Sequence, residues 1–184
     1  MIQVTVAEYI IHVGDDMPEQ DDYYCAHAAL AERFGVVRDE RSLLPRASLC
    51  DLHVDVRRGS TWPFVCVAQQ YDREGGWYPG VLLVPETDVL FIGAGERLLA
   101  YDLRIPARLW EDRADFGFHR WQRHDELVVM SAELELAVWD LQGVKRWSTF
   151  VEPPWDYEVD GSMLRLDVMG TVSLFPLASG PVRP

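Results

Sequence analysis

Apolar and polar positions recur most regularly in the second half of the chain, where they define a repeated unit. Each unit has an apolar strand, a short turn of small or polar residues, and a second apolar strand that ends in aromatic-x-Leu. Three segments share this pattern: Val89–Leu103, Leu127–Leu141 and Met163–Leu177. After the first two comes a further strand that carries Trp110 or Trp147. The aromatic positions 101, 139 and 175 are 38 and 36 residues apart, a period typical of propeller blades and related β arrays.

The first half of the chain alternates over shorter stretches. Ile2–Val13 and Trp62–Gln69 each predict a strand. Between them, Leu49–Val56 predicts a strand with two distinct faces, because successive side chains of a strand point to opposite sides. The apolar face carries Leu52, Val54 and Val56, and the polar face carries Asp51, His53 and Asp55.

One helix is predicted, over Asp22–Phe34. Its apolar stripe consists of Tyr23, His27, Leu30 and Phe34, which follow one another at spacings of four, three and four residues. Asp21 or Asp22 can accept hydrogen bonds from the free N–H groups of the first turn. Gly35 stands where a left-handed C-terminal cap is expected.

The repeated units resemble the blades of WD40 and PQQ-type β-propellers, most clearly in Ala100-Tyr101-Asp102-Leu103 and Val138-Trp139-Asp140-Leu141. The resemblance covers Gly80–Pro184 and implies a β scaffold of the kind that mostly binds other molecules. Three units do not close a ring, which needs about four to eight blades. We therefore predict a mainly β fold, an antiparallel meander with three propeller-blade-like repeat units plus one N-terminal helix. A single domain over residues 1–184 is expected, with the N-terminal strands and helix in 1–79 and the repeats in 80–184.

Composition narrows the classes of partner. The net charge is −13, from 17 basic and 30 acidic residues, so the surface repels a phosphate backbone or an anionic membrane. Neither nucleic acid nor membrane is expected as a partner. The N-terminus has no signal-peptide pattern and no apolar run is long enough to span a bilayer, which predicts a cytoplasmic protein. Lys145 is the only lysine and asparagine is absent, which suggests a GC-rich bacterial genome.

The clearest candidate metal site is Asp51, His53 and Asp55, because carboxylate and imidazole on one strand face suit Zn²⁺ or Fe²⁺. The same spacing also fits the polar side of any half-buried strand, so our main expectation is no metal and no cofactor. Cys25 and His27 would point away from each other on a helix, which argues against a nucleophile and its base. Three cysteines, an odd and sparse set, do not indicate a disulfide framework.

Two further segments resemble known kinds of binding site. Gly93–Arg97 lacks the third glycine of a dinucleotide-binding loop and is better explained as a hairpin turn. His119–His124 is the one basic, aromatic stretch, and its arginines and tryptophan could stack on a base or hold a carboxylate. The alternative is a strand and turn between two repeat units, with Trp121 packed inward.

Two acidic, aromatic segments are the predicted partner-binding residues. The first comprises Asp15, Asp16, Glu19, Asp21, Asp22, Tyr23 and Tyr24, and the second comprises Trp155, Asp156, Tyr157 and Glu158. Charge runs are usually solvated loops. Aromatic side chains beside carboxylates, stiffened by Pro153 and Pro154, are also what a hot spot for a basic partner requires.

These observations predict a non-catalytic acidic binding protein that takes a basic protein partner. Its size, acidity and lack of motifs resemble the immunity proteins of bacterial toxin systems, which implies an antitoxin-type protein that neutralises a toxin domain by covering it. One alternative is a small metal-dependent enzyme or ligand-binding protein that uses Asp51, His53 and Asp55. Another is a structural subunit of a larger β assembly.

Overall fold

The computed structural model describes residues 2–15, 25–37, 49–59, 62–73 and 78–182. These residues form sixteen strands in four sheets. The first sheet contains β1 (Ile2–Val6), β2 (Tyr9–Gly14), β3 (Leu30–Phe34), β4 (Leu49–Arg58) and β5 (Val65–Asp72), in the order β1-β2-β4-β5-β3. The second contains β6 (Gly80–Val84), β7 (Val89–Ala94), β8 (Arg97–Asp102) and β9 (Ala107–Arg113). The third contains β10 (Phe118–His124), β11 (Leu127–Ala132), β12 (Glu135–Asp140) and β13 (Lys145–Phe150), and the fourth β14 (Trp155–Asp160), β15 (Met163–Val168) and β16 (Thr171–Pro176).

The predicted repeats are confirmed as antiparallel hairpins. The three aligned segments are β7–β8, β11–β12 and β15–β16, and the strands with Trp110 and Trp147 are β9 and β13. Several of the turns that join the strands place a residue with a positive φ at their first position. Asp125 has a φ of 48° in the turn between β10 and β11, and Gly161 has a φ of 56° in the turn between β14 and β15. The Gly93–Arg97 segment is a hairpin turn as predicted, with Gly95 at a φ of 57°.

The helix predicted over Asp22–Phe34 is wrong in its described part, 25–34, while Asp22, Tyr23 and Tyr24 lie outside the described residues. Cys25 and Ala26 are the only helical residues in the described part of the chain, and Leu30–Phe34 is strand β3, paired in parallel with β5. Leu30 and Phe34 lie four residues apart, a spacing that places them on one face of a helix and also on one face of a strand. Pairing with the outer edge of β5 satisfies the backbone of this segment, and tertiary contacts override the helical periodicity.

Strand β3 is held by side chains of the second sheet. Phe34 lies below the guanidinium groups of Arg97 and Arg108, whose central carbons are 4.8 and 5.2 Å from the ring centroid. Tyr101 donates a hydrogen bond from its hydroxyl to Glu32 at 2.8 Å. The first sheet is therefore a four-stranded meander, β1-β2-β4-β5, with β3 added at its outer edge.

Three apolar cores separate the four sheets. The first lies between the first and second sheets, the second between the second and third, and the third between the third and fourth. Sheets in the middle of the stack are therefore covered on both faces, and every residue of β7 and β12 is buried. Among the described residues, only one face of the fourth sheet is covered by another sheet, and Phe175 is the one buried residue of β16. The described residues include no helix that is long and apolar enough to cross a membrane.

A repeated tryptophan contact joins successive sheets. Trp110 of β9 stacks on Trp139 of the next sheet with ring centroids 5.6 Å apart, and its indole N–H donates to the Gly143 carbonyl at 2.6 Å. Trp147 of β13 meets Phe175 edge-on at 5.7 Å, and its indole N–H donates to the Leu177 carbonyl at 2.6 Å. The outer strand of one sheet thus carries the anchor that positions the next.

Candidate functional site

The predicted segment Trp155–Glu158 lies on β14, the first strand of the fourth sheet. Strand alternation separates its two kinds of side chain. Trp155 and Tyr157 face the third core, whereas Asp156 and Glu158 are exposed on the opposite face. Strand alternation therefore directs the aromatic and acidic side chains of this segment to opposite faces of the sheet, although residues of both kinds line the clefts between β14 and β10.

The aromatic side forms a cleft with β10, so that the basic segment His119–His124 and the acidic segment meet. Trp155 and Tyr157 stack at 6.2 Å, and the Trp155 indole donates to the Glu133 carbonyl at 2.9 Å. The Tyr157 hydroxyl donates to Gln122. Trp121 is buried in the second core, which confirms the strand interpretation of this segment. The mouth of the cleft encloses about 350 Å³.

The cleft holds one fixed positive charge on β10. Arg120 is exposed, and its guanidinium carbon lies 5.8 Å from the centroid of the Tyr157 ring. Burial raises the pKa of the Tyr157 phenol and lowers the pKa of His124. Near neutral pH the phenol is therefore protonated and the His124 imidazole is uncharged, so neither adds charge to the cleft. These groups make a polar, aromatic wall without a pair of groups arranged as nucleophile and base.

The acidic side is the open face of the fourth sheet, which we call the terminal face. Register places nine side chains on it: Asp156, Glu158, Asp160, Met163, Arg165, Asp167, Val172, Leu174 and Pro176. Four of these are carboxylates and one is an arginine, which lies 3.5 Å from Asp167. Val172 and Leu174 are 50% and 65% exposed, an unusual degree for large apolar side chains at adjacent positions on one face.

The β14 carboxylates form no ion pair within the described residues. No basic side chain of those residues lies within 4.0 Å of Asp156, Glu158 or Asp160, although Arg165 stands opposite Glu158 in the register of β14 and β15. Several acids on the other sheets are paired instead: Glu86 with Arg123 at 2.8 Å, Asp112 with Lys145 at 2.9 Å, and Asp140 with Arg146 at 3.0 Å. The terminal face therefore concentrates uncompensated negative charge beside exposed apolar side chains.

The first predicted acidic segment is described at one residue only. Asp15 follows β2 and is exposed. Asp16, Glu19, Asp21, Asp22, Tyr23 and Tyr24 lie outside the described residues. Their role in partner binding stays a prediction.

The candidate metal ligands share one face of β4, as predicted, but two of the three are buried. Asp51 is exposed, whereas His53 and Asp55 are 2% and 6% exposed. Asp55 is engaged within the sheet: His12 Nδ1 lies 2.8 Å from its Oδ1, and the Arg57 Nε–H donates to the same oxygen at 3.1 Å. No group of three His, Cys, Asp or Glu side chains within the described ranges is placed to hold a metal ion.

A second polar contact extends this buried network on the first sheet. His12 Nε2 lies 2.7 Å from Gln3 Oε1, so the imidazole joins β1 to β4. The sequence shows only alternating residues here, and the partner of Asp55 comes from 43 residues earlier. Cys25, Cys50 and Cys66 form no disulfide, and His27 packs edge-on against Trp62 at 5.5 Å.

No protein-family model and no curated protein matches the chain. Solved structures match it at low identity. BamB from Moraxella catarrhalis is 14% identical, with 72% of this chain and 44% of that chain covered and a TM-score of 0.43. Hsv2p from Kluyveromyces lactis is 12% identical, with 71% and 43% covered and a TM-score of 0.41. The chain spans less than half the length of these proteins.

Proposed function

We propose that the protein is a non-enzymatic binding protein that docks a basic protein partner on the terminal face. One observation carries the proposal: Asp156, Glu158 and Asp160 form a row of carboxylates that pair with no basic side chain of the described residues, on a sheet face that no other described sheet covers. Like charges in a row repel one another, and a cationic partner removes that cost on binding.

The terminal face has the composition of a docking surface. Val172 and Leu174 supply apolar area for the centre of an interface, and the carboxylates supply polar contacts around them. The whole chain carries a net charge of −13, so its field attracts a basic partner over distances longer than any contact. Arg165 is already paired with Asp167 and opposes such a partner only weakly.

The specific form of the proposal is a bacterial immunity protein that acts in the cytoplasm. A toxin domain that acts on nucleic acid needs a basic active surface, and a rigid acidic face can cover such a surface without any catalytic group of its own. The fold supports rigidity, because the fourth sheet is anchored to the third by the Trp147 contact with Phe175 and Leu177.

The test is binding to the purified product of the neighbouring gene, measured by calorimetry for the native chain and for an Asp156→Lys, Glu158→Lys variant. We expect the variant to bind about 100-fold more weakly, because each lost close charge pair costs ~1.5 kcal/mol. The matched control is Asp115→Lys, Glu126→Lys, which makes the same change in net charge at two exposed positions away from the terminal face. It should keep its affinity within about threefold, since only long-range attraction changes.

Two outcomes contradict separate parts of the proposal. Equal affinities of the two variants for the partner would exclude the terminal face as the docking surface. If the neighbouring gene's product forms no complex with the native chain, the immunity assignment is wrong.

A further inference from the structure

The outer edge of the fourth sheet differs from the outer edges of the second and third. In those sheets a fourth strand, β9 or β13, follows the third strand in the ladder. The described part of the fourth sheet ends at its third strand, β16. The position that β9 and β13 occupy in their own sheets is therefore open beside β16.

Strand β16 has few of the features that usually protect an outer edge from pairing. Residues 171–175 include no charged side chain and no proline, and β16 pairs with β15 without a register shift; Pro176, which has no N–H, ends the strand. Strands β9 and β13 instead carry charged side chains, and each is interrupted by a shift in register. Charges and bulges on edge strands hinder pairing with other chains, so β16 is the least protected outer edge of the three.

The register identifies the backbone groups that the edge offers. A two-residue turn, Met169 and Gly170, joins β15 to β16, so the flanking residues Val168 and Thr171 form a hydrogen-bonded pair. Such pairs recur at every second residue of an antiparallel ladder, which turns the N–H and C=O groups of Thr171, Ser173 and Phe175 toward β15. The N–H and C=O groups of Val172 and Leu174 consequently point outward, along the free edge.

The third sheet shows how a strand would pack at this position. When the third and fourth sheets are aligned by their repeat units, Phe175 corresponds to Trp139 and Leu174 corresponds to Val138. Val138 pairs with Trp147 of β13, and both side chains are buried in the third core. Leu174 is 65% exposed, and no strand of the described residues lies opposite it.

We propose that the partner adds an extended segment to the fourth sheet, antiparallel to β16, with a large apolar side chain opposite Leu174. This inference rests on the proposed function and specifies how the partner makes contact. The partner's extended segment pairs with the edge of β16, and a basic surface next to that segment covers the carboxylates of the terminal face. Backbone hydrogen bonds to Val172 and Leu174 supply affinity, and the side chain opposite Leu174 supplies selectivity.

The experiment uses the ¹⁵N-labelled full chain and a capped synthetic peptide with the β13 sequence, Lys145–Phe150, the chain's own example of such a strand. In the free protein, we expect the Val172 and Leu174 amides to exchange rapidly with solvent and the Ser173 and Phe175 amides to exchange slowly. Peptide at millimolar concentration should slow exchange at Val172 and Leu174 at least about tenfold. A peptide with proline at the Thr149 position, which pairs with Val172 in the aligned register, should give no protection. Unchanged exchange at both amides with the unsubstituted peptide would overturn the inference.

A matched pair of variants separates the backbone from the side chain. Leu174→Pro removes the outward N–H and leaves the inward ladder intact, a substitution that an edge strand accepts. Leu174→Ala keeps the N–H and removes the apolar side chain. We expect Leu174→Pro to abolish protection of Val172 by the peptide and Leu174→Ala to reduce it, while slow exchange at Ser173 and Phe175 shows that β16 remains folded.

The strand inference and the docking proposal fail separately. If charge reversal at Asp156 and Glu158 weakens binding of the natural partner and Leu174→Pro does not, strand addition is excluded and the docking proposal is retained. If Leu174→Pro weakens binding and charge reversal does not, the acidic face is excluded as the docking surface and strand addition at the β16 edge is retained.

Discussion

The contact between Trp147 and the fourth sheet yields the most quantitative prediction. Trp147 is 9% exposed, and a Cβ built on Gly180 would lie 2.6 Å from its Cγ, so the backbone that follows β16 packs directly on the ring. The indole N–H is also the donor to the Leu177 carbonyl, at 2.6 Å. Replacement of this side chain therefore removes packing and a hydrogen bond at the same place.

The two contributions can be separated by Trp147→Ala and Trp147→Phe. Truncation of a buried tryptophan costs ~3–5 kcal/mol, and the loss of a donor to a buried carbonyl costs ~1–3 kcal/mol more. We expect Trp147→Ala to lower the free energy of unfolding by about 5 kcal/mol. Trp147→Phe keeps most of the apolar contact and should lower it by about 2 kcal/mol, because it loses chiefly the hydrogen bond.

Urea unfolding followed by far-ultraviolet circular dichroism measures both variants without relying on tryptophan fluorescence. Trp110→Phe is the internal comparison, because its indole also donates to a carbonyl of the next sheet at 2.6 Å. It should lose about the same free energy as Trp147→Phe. A Trp147→Ala variant within about 1 kcal/mol of the native chain, or a Trp147→Phe variant as unstable as Trp147→Ala, would refute the role assigned to this contact.

Two further predictions test other parts of the stack. Gly93→Ala places a Cβ 2.5 Å from the Phe118 ring and should lower the free energy of unfolding by ~1–3 kcal/mol. Gly35→Ala, at a position with open space around it, should change the free energy of unfolding by less than about 0.5 kcal/mol. Equal effects of the two substitutions in thermal unfolding would exclude the clash. Burial and the hydrogen bond to Asp88 raise the pKa of Tyr9 to about 12. Because the unfolded phenol ionises near its ordinary pKa of 10, the stability due to neutral Tyr9 is complete below pH 10 and is lost as the pH rises to about 12. The difference in absorbance at 295 nm between the native chain and Tyr9→Phe should titrate with that midpoint, and a midpoint near 10 would contradict it.

The repeats of the second half could be predicted because their contacts are local. Each hairpin joins neighbouring segments through a short turn, so apolar alternation, turn residues and period all indicate the same structure. The first sheet could not be predicted in this way. Its fifth strand, Leu30–Phe34, pairs with Val65–Asp72, and nothing near Leu30 in the sequence encodes that pairing.

The sequence predicts Trp155–Glu158 as partner-binding residues, and the structure shows that their side chains point to two opposite faces of the sheet. Trp155–Glu158 was identified as one hot spot, although strand alternation already implies that Asp156 and Glu158 leave the sheet opposite to Trp155 and Tyr157. The exposed Val172 and Leu174 were missed, because β16 has the composition of a strand covered on both faces. Exposure there depends on the absence of a further described sheet, which the local sequence pattern does not encode.

The parallel pairing of β3 with β5 has a consequence for the order of events during synthesis. Leu30–Phe34 leaves the ribosome before Val65–Asp72, the strand on which it docks, so for an interval of some forty residues its backbone groups must be satisfied by water. The β1–β2 hairpin can close early, while its neighbour β4 is translated only after the intervening segment. The second, third and fourth sheets close in the order in which they are made. Within the N-terminal sheet the strands therefore pair out of chain order, and a pause in translation between Phe34 and Val65 would leave the β3 backbone without its partner strand and accessible to proteases.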